Sequence, residues 1–236
     1  MDVVAIVDRM LKAYAEDAAQ RRAYNVTRNY RIYEGSAAKP KSEITAVVTF
    51  LPPQLKSFSI VESTGGVAER MVRKALEREV DLARDPTVSQ IVPANYDFEY
   101  EGEAVLQGKR CYVLLLHPKR NTKDLLKGRM WVDVERFSIR QVEGEPAATP
   151  SWWVKNVHLL LTYKDVNGMW IQTGTEATAY IRMAGEYKMI SRDVRFDSAE
   201  TVSNLVTPTR ITTASSSPSL PKFSRRNGIA PLHNAP

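Results

Sequence analysis

The feature that most restricts the folds open to this chain is a period of two in its hydrophobic residues, repeated between turn signals from residue 24 to residue 196. Tyr24, Val26, Arg28, Tyr30 and Ile32 fall on one side of an extended segment, and Asn25, Thr27, Asn29 and Arg31 on the other, up to a break at Glu34-Gly35-Ser36. The same reading predicts strands over residues 43–50, 57–62, 96–100, 104–106, 111–117, 128–134, 137–143, 157–164, 169–173, 178–183 and 187–196. Turn chemistry separates most of them: Gln107-Gly108, residues 133–136, Gly144-Glu145-Pro146, and Asn167-Gly168, the strongest hairpin signal in the chain. Helical spacing occurs twice. Val3, Ile6, Val7, Met10, Leu11 and Tyr14 form one stripe, and residues 67–83, entered through Thr64-Gly65-Gly66, form another with Val67, Met71, Ala75 and Leu76. About ten strands in series with two helices, one N-terminal and one inserted, predict a mainly β (α+β) fold built on a single large curved antiparallel sheet, closed or nearly closed.

Length and charge set the domain plan. With 236 residues, 43% of them apolar, residues 1–200 are expected to form one half-barrel domain and residues 201–236 a Ser/Pro/Thr-rich flexible tail. Four of the net six positive charges (Arg210, Lys222, Arg225 and Arg226, with no acid among them) fall after residue 206, leaving +2 on residues 1–206. The tail is therefore a candidate for peripheral contact with an anionic membrane, and the near-neutral body argues against a nucleic-acid partner. No apolar stretch reaches the roughly 18–20 residues of a membrane-spanning helix.

Catalytic constellations are not evident. Cys111 is the single cysteine and falls inside an apolar strand, which predicts an inert thiol. His117, His158 and His233 are far apart, with no metal-ligand spacing, and there is no GxSxG turn. Gly65-Gly66 lacks the spacing of a phosphate-binding loop. Asp97, Glu99, Glu101 and Glu103 alternate and read as one solvated strand face. The expectation is a protein that is not an enzyme and uses neither cofactor nor metal. An enzyme site assembled from scattered strand residues is the weaker alternative.

The apolar residues point instead to binding. Residues 113–116 and 159–161 are apolar at consecutive positions, so both faces of those strands should avoid water. Tyr30, Ile32, Phe50, Phe58, Ile60, Trp131, Phe137, Ile139, Leu159 and Leu161 are the candidate lining of a concave cavity, with ordinary core packing as the alternative for each. Burial is worth about 0.8 kcal/mol per methylene, so an acyl chain of roughly 14 carbons would gain on the order of 10 kcal/mol before ordering costs. Trp152 and Trp153 are adjacent. On an extended segment they place one indole on each face, leaving one for a partner protein.

Gly128-Arg129-Met130-Trp131-Val132-Asp133, followed by residues 137–144 (FSIRQVEG), Pro150-Ser151-Trp152-Trp153-Val154-Lys155, Asn167-Gly168-Met169-Trp170 and Ala184-Gly185-Glu186-Tyr187, resembles the outer-membrane lipoprotein-sorting (LolA/LolB/RseB-like) superfamily. The resemblance implies that the sheet forms an unclosed barrel covered by the N-terminal helix and the inserted helix, with a hydrophobic cavity for a lipid, an acyl chain or a lipoprotein. It also implies residence in the bacterial periplasm or cell envelope. That location requires a signal sequence removed from ahead of Met1, since Asp2 and an amphipathic pattern follow at once. A second role within the same superfamily is a regulatory or sensor module binding an envelope partner protein, with Trp152 and Trp153 as the contact. The carriers latch their helical lid with an arginine in an Arg-Pro stretch; the corresponding stretch here, residues 51–58 (LPPQLKSF), contains no arginine.

Overall fold

The computed structural model describes residues 2–149 and 151–198. The segment expected to be a tail, with its arginines and His233, lies outside the described residues. Helix α1 (Val3–Ala19) leads into strands β1 (Tyr24–Glu34), β2 (Ser42–Leu51) and β3 (Leu55–Ser63). Helix α2 (Gly66–Arg84) follows, and then β4 (Tyr96–Leu106), β5 (Lys109–Pro118), β6 (Leu126–Asp133), β7 (Ile139–Pro146), β8 (Val154–Val166), β9 (Met169–Ile181) and β10 (Gly185–Ser198). All ten strands form one antiparallel sheet in the order β3-β2-β1-β10-β9-β8-β7-β6-β5-β4. Strands adjacent in sequence are adjacent in the sheet except β3 and β4. β1 pairs with β10, and the free edges β3 and β4 are joined through α2, so the barrel is left unclosed between them.

The hairpin signals act as expected. Gln107 and Gly108 have φ of 50° and 76°, and Asn167 and Gly168 of 52° and 80°, the positive pair that a tight two-residue turn requires. Three boundaries differ from the sequence reading. Residues 96–100 and 104–106 are one strand, interrupted between Tyr100 and Gly102 by a bulge. Residues 169–173 and 178–183 also merge, into β9. Gly144-Glu145-Pro146 is not a turn but the end of β7. The bulge at Gly102 also changes the acidic row. Asp97, Glu99 and Glu101 pair with Lys119, His117 and Arg129. Beyond the bulge Glu103 stands opposite Tyr112 and bonds Arg110, so the four acids do not share one face.

Two hydrophobic clusters fill opposite halves of the concave side. α1 contributes Ile6, Val7 and Met10 to the first, against Tyr96, Tyr112, Leu114, Leu116, Met130, Val132 and Val142. α2 contributes Val72 and Leu76 to the second, against Val26, Tyr30, Ile32, Ile44, Val48 and Phe50. Each helix buries its own apolar stripe under one half of the sheet. On β5 the alternate residues Cys111 and Val113 are buried on the convex face, outside both helix-packed clusters among the described residues. Trp131 lies beside Val113, and Glu99 and Arg129 flank Leu115, so long side chains shield what a second layer would otherwise cover.

Candidate functional site

One row of cross-strand neighbours runs along the concave face from the first cluster to the second: Leu116, Gly128, Gly144, Leu159, Ala177, Met189, Ile32. Its ends are core residues. Its middle belongs to neither helix: Leu159 and Ala177, with Ala179 beside them, are half-buried and outside both clusters among the described residues. Gly128 and Gly144 face each other where the strands close up. A Cβ on Gly128 would lie 2.0 Å from the Glu143 carbonyl oxygen, and one on Gly144 2.3 Å from that of Lys127. The small residues therefore form the floor of a trough between the two helix-packed halves. From β6 to β10 that floor spans about 19 Å at ~4.8 Å per strand.

The residues expected to line a cavity divide among four environments. Tyr30, Ile32, Phe50 and Phe137 are 4% exposed or less and fully engaged in the two clusters. Phe58 and Ile60 pack against the α2 cluster, Ile139 and Leu161 against the α1 cluster. Leu159 is on the trough floor. Trp131 is a correction: Met130 and Val132 on either side of it point into the α1 cluster, so its indole projects from the opposite, convex face. The large aromatic residues other than Trp131 are thus used in packing, and Leu159 makes up the open surface together with Ala177 and Ala179, which the sequence reading passed over.

A buried charge cluster holds α2 in place. Arg28, on the core-facing side of β1, donates through Nη1 to Glu79 Oε2 of α2 at 2.7 Å and through Nε to Asp193 Oδ1 of β10 at 2.5 Å. Lys56 of β3 donates to the other oxygen of Glu79 at 2.7 Å. The Arg28 and Asp193 side chains are 7% and 9% exposed. Burial works against ionisation of Glu79, but Lys56 and Arg28 outweigh it and hold the carboxyl at about 2. Burial raises the Asp193 carboxyl, with Arg28 opposing, and pushes the Tyr30 phenol up to about 12. The sequence comparison pointed to a stretch without a latch arginine. Lys56, in that same stretch, and Arg28, from another strand, make the tie. The signal for Arg28 was present as the one charge in an otherwise apolar strand face.

Asp133 organises the β6–β7 turn. Its Oδ1 accepts from the amides of Glu135 and Arg136 at 2.9 and 3.0 Å, and its Oδ2 from Arg140 Nε at 2.5 Å. Burial alone would raise this carboxyl; those donors keep it below the ordinary aspartate value. The turn presents Phe137 at φ 58°, with the Arg9 guanidinium of α1 3.8 Å from the ring centroid. His117 is exposed beside Glu99 and His158 half-buried beside Glu143, and burial raises the Cys111 thiol. Among the described residues no three His, Cys, Asp or Glu side chains gather as a metal site. A recess of about 330 Å³ on the convex face is lined by Asn29, Arg31, Tyr33, Thr45, Ile190, Arg192 and Val194.

Trp152 and Trp153 sit not on an extended segment but in a turn closed by a Ser151–Val154 bridge, and both are exposed, at 76% and 40%.

No family model matches the chain, and no curated protein matches it. Among solved structures it is similar to a DUF1329 family protein from Desulfovibrio piger at 13% identity and TM-score 0.44, covering 84% of this chain and 93% of that one. It is similar to a putative outer membrane lipoprotein-sorting protein domain from Vibrio parahaemolyticus at 12% identity and TM-score 0.43, covering 82% and 93%. For a LolA superfamily protein from Nitrosomonas europaea the values are 9% identity, TM-score 0.41, and 83% and 96% coverage.

Proposed function

We propose that the chain is a non-enzymatic binding protein of the cell envelope that holds a lipid, an acyl chain or the acyl part of a lipoprotein in the trough between α1 and α2. The single observation that supports this most is the row Gly144-Leu159-Ala177-Met189, apolar throughout, stretching between two closely packed clusters with its middle outside both of them among the described residues. A soluble protein normally covers such a surface or uses it. About a dozen methylenes lying along it would gain up to roughly 10 kcal/mol if fully buried, and about half of that in an open trough, before ordering costs. The site needs no nucleophile. Glu79 stays ionised and Tyr30 neutral at pH 7, so these groups fix a helix rather than exchange protons.

The test is retention of ligand. Purified protein incubated with a bacterial lipid extract is expected to keep lipid through native mass spectrometry, and to quench or displace a fluorescent fatty acid at micromolar concentration. Ala177→Trp, which fills the floor from a half-buried position, is expected to abolish uptake while the far-ultraviolet spectrum is kept. A wild-type chain that retains nothing, or an Ala177→Trp variant that binds as well as wild type, would overturn the reading.

A further inference from the structure

The loops at one end of the sheet make a continuous rim. By register, residues 35–41, 119–125, 147–149 with 151–153, and 182–184 all lie at the end where β1 finishes and β10 begins. Backbone hydrogen bonds connect three of these loops, Ala148 N to Thr122 O at 3.2 Å and Arg182 N to Trp153 O at 2.8 Å, and the fourth is tied to the start of β10 by Gly35 N to Glu186 O at 2.8 Å. At the centre of this rim stand Trp152, Trp153, Tyr180 and Met183, exposed by 76%, 40%, 47% and 99%. Met183 holds φ of 70° at its turn tip, a left-handed conformation that an ordinary side chain adopts at a cost, and it presents its thioether wholly to solvent. Arg182 lies 5.6 Å from the Trp152 ring centroid, giving the indole a cationic neighbour.

Charge completes the pattern. The described residues of these four loops hold six basic side chains, Lys39, Lys41, Lys119, Arg120, Lys123 and Arg182, against one acid, Asp124. Asp124 is taken by Arg78 of α2. Lys41 and Lys119 have Glu34 and Asp97 as partners, whereas Lys39, Lys123 and Arg182 have no carboxylate partner among the described residues. The basic loops flank the apolar centre on both sides. An aromatic and thioether tip between lysines and arginines suits the surface of a bilayer: rings at headgroup depth, cations toward anionic phosphates.

We propose that this rim docks on a membrane surface containing anionic phospholipid, with Trp152 and Met183 entering the interface and Lys39, Lys123 and Arg182 meeting the headgroups. The inference stands on loops separate from the trough, so each can fail without the other. The experiment is co-sedimentation of the full chain with vesicles of equal parts phosphatidylglycerol and phosphatidylcholine, and with phosphatidylcholine alone. Binding is expected to the anionic vesicles, weakening as salt is raised, with tryptophan emission shifted to the blue and quenched by brominated acyl chains. Trp152→Ser combined with Met183→Ser is expected to weaken vesicle affinity about tenfold or more while leaving melting temperature and fatty-acid retention unchanged. Lys39→Glu with Lys123→Glu is expected to remove the preference for anionic vesicles. The proposal is overturned if the doubly substituted rim binds vesicles as well as wild type, which would assign binding to the basic residues after 206. It is also overturned if vesicles are not bound and the same substitutions dissolve a dimer in sedimentation velocity, which would assign the rim to a protein contact.

Discussion

Replacing Arg28 by methionine removes the cation from a site where both of its carboxylate partners stay behind. Glu79 keeps Lys56 at 2.7 Å, but Asp193, whose side chain is 9% exposed, is left as a buried carboxylate without its ion-pair partner. Removing one member of a buried ion pair costs about 3–5 kcal/mol, because the remaining charge stays desolvated. For a domain of this size each kcal/mol lowers the melting temperature by about 2–4 °C, so a fall of about 6–20 °C is expected. The pH dependence separates this cause from simple loss of packing. In the variant the Asp193 carboxyl, already raised by burial, rises further, so the folded state takes up a proton more readily than the unfolded chain and the deficit shrinks as pH falls from 7 toward 5. The native cluster behaves in the opposite way through Glu79. With its carboxyl held at about 2 against 4.5 ordinarily, it contributes up to about 3 kcal/mol above pH 4.5, and this is lost as pH falls toward 2. Urea denaturation followed by tryptophan fluorescence at pH 7 and pH 5, compared at equal slope, gives both quantities. A loss under about 1 kcal/mol at pH 7, or a deficit that does not narrow at pH 5, would refute the claim that Arg28 acts as a buried electrostatic tie on α2.

Hydrogen exchange on that Arg28→Met variant is expected to rise in the α2 amides and to leave those of α1 unchanged, because α1 is held by a separate cluster; equal acceleration in both helices would contradict the two-cluster description. Gly128→Ala is expected to destabilise by more than about 3 kcal/mol, since the new Cβ meets backbone at 2.0 Å and no side-chain rotation relieves it; thermal melting checks this. Asp133→Ala strips the acceptor from two amides and from Arg140 and should cost about 3 kcal/mol, with Asp133→Asn costing less because its carbonyl still serves the two amides.

The fold was readable where burial on one face leaves a period of two for the strands and helical spacing for α1 and α2; that the sheet stays unclosed came from the family resemblance, not from the pattern. Two things were not readable. Pairing between β1 and β10 is non-local and leaves no trace in either segment. The continuity of β4 depends on a bulge at Gly102, which looks in sequence like a break. Of the residues expected to line a cavity, Leu159 alone lies in the middle of the proposed trough. Large hydrophobes were expected to line it, yet Tyr30, Ile32, Phe50 and Phe137 are the residues whose burial holds the helices down. A surface kept open for a guest must be made of what packing leaves over, here Leu159, Ala177 and Ala179. Trp131 was assigned to the wrong face because Met130, Trp131 and Val132 are all apolar, and alternation has no meaning where both sets would accept burial. The motif that carries the family resemblance proves to be architectural: Gly128 and Gly144 permit the close approach of β6 and β7, and Asp133 shapes their turn.

Photo-crosslinking with a fatty acid carrying a diazirine along its chain, followed by peptide mapping, tests the trough most directly. Adducts on peptides containing Leu159, Ala177 and Met189, competed away by unlabelled fatty acid, are the predicted result. Labelling confined to the convex recess around Arg31 and Arg192, or none that competes, would contradict it.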